Sequence, residues 1–250
     1  MTAASATRRH ALRRGVALVL ALCLVAPLPD PVLSAPQGQF DFVLRGIRAG
    51  TLQWQAVEQN GQYAVSGRLE SAGLAGMVRR VRFDARAQGR VNGERLLPLR
   101  YEENSDTGRR QSEAVMVWRG GVPQVELVRP EREPGANDLD PADQRGTVDP
   151  LTALYATLRD VPAERACSSS VQMFDGRRRS ALTLGAPRQE GDRIACTGEY
   201  RRIAGFSDKE MAERTRFPFT LTYAPNGDGT MRVIEVAMDT IYGKAYLKRR

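Results

Sequence analysis

Short turn motifs recur along most of this 250-residue chain and constrain its fold more than any other feature. Each contains glycine beside asparagine, aspartate, threonine or a second glycine, and such steps accept the positive φ angles of tight hairpin turns. The motifs are Asn60-Gly61, Asn92-Gly93, Asp106-Thr107-Gly108, Gly120-Gly121, Asp175-Gly176, Gly191-Asp192 and Asn226-Gly227. Their close spacing predicts an all-β antiparallel meander of about ten to twelve strands. A sheet of that size does not stay flat, so we expect it to curl into an open barrel or β-spiral.

The segments between the turns alternate in polarity, which is typical of strands with one dry face and one wet face. Residues 81–87 are apolar at every odd position, and residues 217–223 follow the same period. Residues 231–238 slip once in this alternation, which predicts a β-bulge. We assign the large aromatic side chains to the core of the curled sheet: Trp54, Trp118, Phe83, Phe217 and Phe219.

One or two short helices are expected to pack on this sheet. Asp149 is a suitable N-cap, Pro150 fits the first helical position, and apolar residues recur up to Leu158. Shorter helical turns are predicted over residues 74–78 and 208–214. Residues 130–146 are acidic and poor in apolar side chains, so we interpret them as a flexible surface loop, with a lid as the alternative.

The first 35 residues have the order of a signal peptide, namely a basic start, an uncharged apolar run and small residues. The basic residues are Arg8, Arg9, Arg13 and Arg14. The apolar run, residues 16–26, is shorter than the roughly 20 residues that a bilayer span needs. We therefore predict cleavage near Ser34 or Ala35, leaving one β-rich domain over residues 36–250, with a permanent membrane anchor as the alternative. This predicts a periplasmic protein that is not integral to the membrane after processing.

Removing the signal lowers the formal net charge of the chain from +8 to +5. The remaining basic residues are scattered among acidic ones and form no stripe, so we expect no nucleic-acid partner. An anionic partner, such as a lipid headgroup or an acidic glycan, fits the arginine-rich composition. A solvated surface is the alternative interpretation. The sequence makes no prediction of the oligomeric state.

The chain has one histidine, His10, and it lies in the signal. Without a mature histidine, Ser-His-Asp catalysis, Cys-His catalysis and the usual zinc sites are excluded, and we expect no cofactor or metal. Cys23 leaves with the signal, so Cys167 and Cys196 are the two mature cysteines. In an oxidising compartment such a pair predicts a structural disulfide, which we expect to staple neighbouring strands.

Several motifs resemble one bacterial family over residues 40–248. They are Gly46-x-x-x-Gly50, Gly73-Leu74-Ala75-Gly76, Leu97-Pro98-Leu99-Arg100-Tyr101, Asp149-Pro150-Leu151-Thr152, Phe174-Asp175-Gly176-Arg177-Arg178 and Cys196-x-Gly198-x-Tyr200-x-Arg202-Ile203-x-Gly205-Phe206. In this order they resemble the exported proteins grouped as domain of unknown function 3108. The resemblance implies an envelope protein and no particular activity. Similarity to spiral β-proteins of envelope integrity, and more distantly to periplasmic lipoprotein carriers, is a fold-level analogy.

Three functions fit these observations. The first is a non-catalytic envelope protein that binds an amphipathic ligand, such as a lipid, or another envelope component on a curved sheet and supports envelope integrity. The second is a carboxylate-dependent enzyme acting on cell-wall glycan, which needs two positioned carboxyl groups. The third is a scaffold that docks a partner at a sheet edge or at the arginines 177–179.

No set of residues forms a recognisable catalytic constellation, so we assign no catalytic residue. The carboxylates that the glycan enzyme would draw on are Asp84, Glu102, Glu103, Asp175 and Glu199. Glu102 and Glu103 are adjacent in a predicted strand and so point to opposite faces. Asp175 is expected to have a structural role in the Asp175-Gly176 turn. The first function is therefore the preferred interpretation.

Overall fold

The computed structural model describes residue 2 and residues 37–73, 80–240 and 243–250. Residues Ala35–Arg250 group as one unit by their contacts. The predicted signal peptide and the helical turn predicted over residues 74–78 lie outside the described residues.

In the described residues the chain forms one large antiparallel sheet, as predicted. Its strands are β1 (Gln37–Leu44), β2 (Ile47–Gln59), β3 (Gln62–Ser71), β4 (Arg82–Asn92), β5 (Arg95–Asp106), β6 (Gln111–Arg119), β7 (Val122–Arg129), β8 (Val161–Pro162), β9 (Ser170–Phe174), β10 (Arg179–Glu190), β11 (Arg193–Ala204), β12 (Arg216–Pro225), β13 (Thr230–Thr240) and β14 (Gly243–Arg249). The described residues thus contain fourteen strands, a little more than the predicted ten to twelve. The two-residue β8 and the Arg45-Gly46 turn after β1 carry none of the turn motifs used for the prediction.

The turn motifs separate neighbouring strands as expected. Asn60 and Gly61 join β2 to β3 with φ angles of 53° and 70°, the positive values that a type I′ turn needs. The predicted bulge is present in β13, where the register shifts so that Val233 faces Tyr223 and Glu235 faces Thr222. Local turn chemistry therefore fixes the meander.

The strand order places the two ends of the described domain at the middle of the sheet. The order is β7-β6-β5-β4-β3-β2-β1-β14-β13-β12-β11-β10-β9, and β8 adds to the start of β13. β1 pairs with β14, with Phe40 opposite Arg249 and Leu44 opposite Ala245. Two meanders, β1–β7 and β9–β14, are thus joined along this one seam.

The sheet curls but is not closed by strand pairing, because its edge strands are β7 and β9. Residues 138–149, which we call the strap, run from one edge to the other. On the β9 side, Leu139 N donates to Arg177 O and Val148 N donates to Gln172 O, both at 2.9 Å. Phe174 N returns a bond of 2.9 Å to Val148 O, which forms a parallel bridge beside β9.

On the other side the strap is bonded to the β6–β7 hairpin. Gly146 N donates to Gly121 O at 3.0 Å, and the buried Trp118 Nε1 donates to Thr147 O at 2.9 Å. Apart from a short 3-10 helix at Pro141–Asp143, the strap has no helix before Pro150. Residues 130–146 lie in the predicted loop, but their acidic composition does not indicate that the strap bridges the two edges.

The strap leads into helix α1 (Pro150–Leu158), which has the predicted N-cap Asp149 and packs on the inner face of the sheet. Tyr155 meets Trp54 edge-to-face with ring centroids 5.3 Å apart. Leu151 lies over Gly67, where a Cβ would stand 2.7 Å from Leu151 Cδ1, so this glycine permits the close approach. The second helix, α2 (Asp208–Glu213), begins at Ser207, which forms a capping box with Glu210.

The curled sheet and α1 enclose one apolar core. Trp54, Trp118 and Phe219 are buried there as predicted, whereas Phe83 and Phe217 are half-buried. Phe217 instead contacts Tyr200 with the rings tilted and their centroids 5.7 Å apart, and it lies under the guanidinium of Arg202.

The structure contains the Cys167–Cys196 disulfide, with Cα atoms 5.3 Å apart. Cys196 is on β11 and is fully buried, and Cys167 precedes β9. Since β10 lies between β9 and β11, the bridge does not join neighbouring strands as expected. It ties the segment after α1 to the inner face of β11.

Replacing both cysteines, Cys167→Ser with Cys196→Ser, should lower the free energy of unfolding by about 3–4 kcal/mol, because the open loop gains conformational entropy in the unfolded chain. Urea denaturation followed by tryptophan fluorescence measures this difference. The reduced wild-type protein is the matched control and should unfold at nearly the same midpoint as the double variant. Equal stability of the oxidised protein and the variant would contradict a stabilising role.

Candidate cleft between the sheet edges

A cleft of about 890 Å³ lies where the sheet edges fail to meet. β6 pairs with β5 only from Arg100 to Asp106, so residues 95–99 of β5 have β4 on one side and no strand on the other within the described chain. The start of β9 forms the opposite wall, and the strap and α1 lie between. The cleft is therefore a direct product of the open topology.

The buried part of the cleft is mainly apolar. Leu96, Val148 and Tyr223 are buried there, and Ala156 of α1 and Val171 of β9 are half-buried. A volume within the usual range of small-molecule sites, with an apolar floor, is the normal setting for a ligand with an apolar portion.

The charged lining of the cleft is strongly basic, with six arginines against two carboxylates. The arginines are Arg90, Arg95, Arg145, Arg159, Arg165 and Arg179. Both carboxylates are already engaged. Glu94 pairs with Arg165 at 2.7 Å, and Asp160 pairs with Arg232, outside the cleft lining, at 2.6 Å.

Four of these arginines have no carboxylate partner among the described residues. Arg145 donates to Gly120 O and Arg179 to the side-chain oxygen of Gln172, and no ion pair is formed by Arg90 or Arg95. Arg159, in contrast, binds Glu58 at 2.9 Å. The excess positive charge favours an anionic group at the mouth of the cleft.

A buried hydrogen-bonded chain lies beside the floor of the cleft. The Asp149 carboxylate accepts from Thr152 N at 2.7 Å and from Thr152 Oγ1 at 2.6 Å, and Tyr63 Oη is 2.8 Å from the same hydroxyl. Burial raises the pKa of Asp149 to about 6, although these hydrogen bonds act in the opposite direction. Burial, together with the nearby Asp149, also raises the pKa of Tyr63.

Of the five carboxylates considered for catalysis, Asp84, Glu102 and Glu103 line a second pocket, of about 910 Å³, but all five have hydrogen-bonding partners. Asp84 lies on the outer face, 2.6 Å from Arg68 and 2.5 Å from Arg82. Burial acts to raise the pKa of Asp84, but the hydrogen bonds from these two arginines outweigh it and lower the pKa. Glu102 pairs with Arg100 at 2.8 Å.

The other three carboxylates also have partners. Glu103 accepts from the buried Tyr101 hydroxyl at 2.5 Å, and Glu199 pairs with Arg216 at 2.5 Å. Asp175 caps its own turn by accepting from the backbone N–H groups of residues 177 and 178 at 2.9 and 2.8 Å. None of the five lines the cleft between the edges.

Sequence reasoning missed the cleft because its arginines come from four separate parts of the chain: the β4–β5 hairpin, the strap, the segment after α1 and the start of β10. The one local signal is the run from Leu96 to Leu99, which puts leucines at consecutive positions and so breaks the alternation of β5. Leu96 is buried, whereas Leu97 and Leu99 are 38% and 41% exposed and line the cleft.

Comparison with known proteins supplies the family. Residues 39–203 match the family model described as "Protein of unknown function (DUF3108)". The chain belongs to the DUF3108 family. This confirms the resemblance found in its motifs. No curated protein matches the DUF3108 chain.

A solved structure is similar in fold to this DUF3108 protein. It is the crystal structure of a β-barrel-like protein of domain of unknown function DUF1849 from Brucella abortus. The TM-score is 0.52 at 13% identity, over 87% of this chain and 96% of that one. At this identity the likeness concerns the fold alone.

The buried Asp149 should make stability depend on pH. Its pKa is about 6 in the folded state against 3.8 for the ordinary group, so the folded protein holds the proton more tightly. The contribution of Asp149 to stability is therefore greatest below pH 4 and falls by about 3 kcal/mol as the pH rises through 6. Asp149→Asn keeps an acceptor for Thr152 N and should remove this slope in urea denaturation series.

Asp140→Asn is the matched control, since Asp140 caps the exposed 3-10 helix of the strap. It should leave the pH slope between 4 and 6 intact. If Asp149→Asn and wild type lost stability in parallel over this interval, Asp149 would not be the titrating group.

Proposed function

We propose that this DUF3108 protein is a non-catalytic protein of the cell envelope, exported to the periplasm, that binds an amphipathic anion in the cleft between the sheet edges. The observation that carries the proposal is the pairing of an apolar floor with four arginines that lack a carboxylate partner among the described residues. An acyl chain fits the floor, and its carboxylate or phosphate head fits the arginines.

Export is supported by two independent features. The first 35 residues have the signal-peptide pattern, and a buried disulfide is typical of proteins that fold in an oxidising compartment. Within the described residues, no helix has the length and apolar character to cross a membrane.

A role in envelope integrity follows from a lipid-like ligand in this compartment. A strain lacking the protein should grow more poorly than its parent in detergent or in a β-lactam, and a plasmid-borne copy should restore growth. Unchanged growth under both stresses would count against this part of the proposal.

Ligand binding can be tested with a dansyl-labelled undecanoate, whose fluorescence rises when it enters an apolar site. The wild-type protein should bind this probe. Ala156→Phe should abolish binding by filling the cleft from α1, and Ala186→Phe, at an exposed position of β10, is the matched control that should bind normally. Normal binding by Ala156→Phe would place the probe elsewhere.

The anionic head can be tested separately with Arg179→Gln, since Arg179 lines the cleft and is half-buried. Losing one charge-assisted contact worth about 1.5 kcal/mol should weaken binding of the labelled acid about tenfold. The methyl ester of the same probe carries no charge and should bind both proteins alike. Equal weakening for acid and ester would indicate damage to the cleft rather than loss of charge recognition.

A further inference from the structure

The β4–β5 hairpin projects beyond its neighbour β6 and carries exposed apolar side chains at the mouth of the cleft. Leu97 and Leu99 are two of the six large hydrophobic residues that are exposed in the described chain. Neither is covered by β6, because β6 reaches only Arg100. Exposed leucines side by side on a protruding hairpin suggest an interaction surface rather than part of the core.

Val57 is the third exposed apolar side chain of this region, and it lies on the same outer face of the sheet as Leu97 and Leu99. The register places Val57, Ala64, Gln88 and Arg100 in one row across β2 to β5, next to the row that ends at Leu97. Val57 is 52% exposed. This outer face therefore carries a third exposed apolar side chain, in a row that also contains Gln88 and Arg100.

Arginines without carboxylate partners surround the two leucines. Arg90 lies directly opposite Leu97 in the β4–β5 register, and Arg95 is two residues before it. Both are exposed, and neither forms an ion pair within the described residues. Arg145, on the strap, adds a third cation at the same mouth.

This combination is complementary to the surface of an anionic bilayer. Leucines gain free energy by entering the boundary between headgroups and acyl chains. Arginine stems lie along apolar surface while their guanidinium groups reach lipid phosphates. Each arginine near an anionic membrane contributes an attraction that corresponds to about a fivefold gain in affinity.

Addition of a peptide strand at the same place is less well supported. The unpaired edge of β5 covers residues 95–99, and its fourth residue is Pro98, which has no backbone N–H to offer. Proline and basic side chains on an edge are features that prevent strand pairing. The surface therefore favours a lipid partner over a protein strand.

We propose that the β4–β5 hairpin docks this protein on an anionic membrane surface, with Leu97 and Leu99 entering the interface and Arg90 and Arg95 contacting phosphates. The inference rests on the proposed function in one respect, since a docked hairpin places the cleft mouth against the bilayer that would supply its ligand. Docking itself requires no occupied cleft.

Vesicle co-sedimentation of the exported, processed protein tests this inference. The protein should bind vesicles that contain phosphatidylglycerol, bind pure phosphatidylcholine vesicles weakly, and dissociate as salt is raised. Arg90→Gln with Arg95→Gln should weaken binding to the anionic vesicles about 25-fold, from two fivefold losses. Leu97→Ser with Leu99→Ser should weaken binding even at low salt.

Matched controls come from exposed sites far from the hairpin in sequence. Arg193→Gln with Arg201→Gln removes the same charge from β11, and Ile47→Ser removes an exposed apolar side chain from β2. Both controls should bind vesicles like the wild type. Equal loss in these controls would show that net charge or general hydrophobicity, and not the hairpin, determines binding, and would overturn the inference.

Binding of the dansyl-labelled undecanoate without vesicles separates the two proposals. Hairpin variants that keep the wild-type midpoint of urea denaturation but no longer bind vesicles would support docking by the hairpin, because they remain folded. A wild-type protein that binds the probe and ignores anionic vesicles would overturn docking while leaving the cleft proposal intact. A wild-type protein that binds vesicles and not the probe would support docking and remove the proposed ligand function.

Discussion

The two edge strands of the sheet, β7 and β9, present backbone donors and acceptors that the sheet itself does not pair. Buried backbone groups without partners cost too much free energy to be left alone, and the strap pairs with Gln172 and Phe174 of β9. Towards β7 it bonds to the hairpin turn at Gly121 and to the Trp118 side chain. The strap also leaves a gap between the two sheet edges, because it is a single irregular segment and cannot fill the whole space where the edges are not paired. The cleft, its basic lining and the exposed hairpin all lie along that gap.

Helix α1 follows from the strap by chain connectivity, since Val148 and Pro150 are separated by one residue. That residue, Asp149, must cap the helix at a fully buried position, and its carboxylate is bonded to Thr152 rather than to a cation. The position of Asp149 at the buried start of α1 therefore accounts both for its role as the N-cap of α1 and for its raised pKa. The local need of the helix for an acceptor is met at a place where the charged form is poorly solvated.

Much of the meander could be predicted from the sequence because hairpin turns and alternation are local properties. Asn60-Gly61 and the slip in residues 231–238 each encode their geometry within a few residues, and Asp149-Pro150 marks a helix start in the same way. The cleft could not be predicted, because Arg90, Arg145 and Arg179 converge only once distant edges face each other. The prediction that the disulfide joins neighbouring strands was wrong for the same reason, since sequence spacing does not reveal that β10 separates β9 from β11.

The pairing of β1 with β14 has a consequence for the order in which the sheet can be completed. Synthesis proceeds from the N-terminus, so β14 emerges after every other strand described here, yet it lies at the centre of the sheet and not at an edge. Each meander can form hairpins early, but the two halves share no strand pairing until the C-terminal segment arrives. Loss of only residues 243–250 would therefore divide one continuous sheet into two incomplete ones.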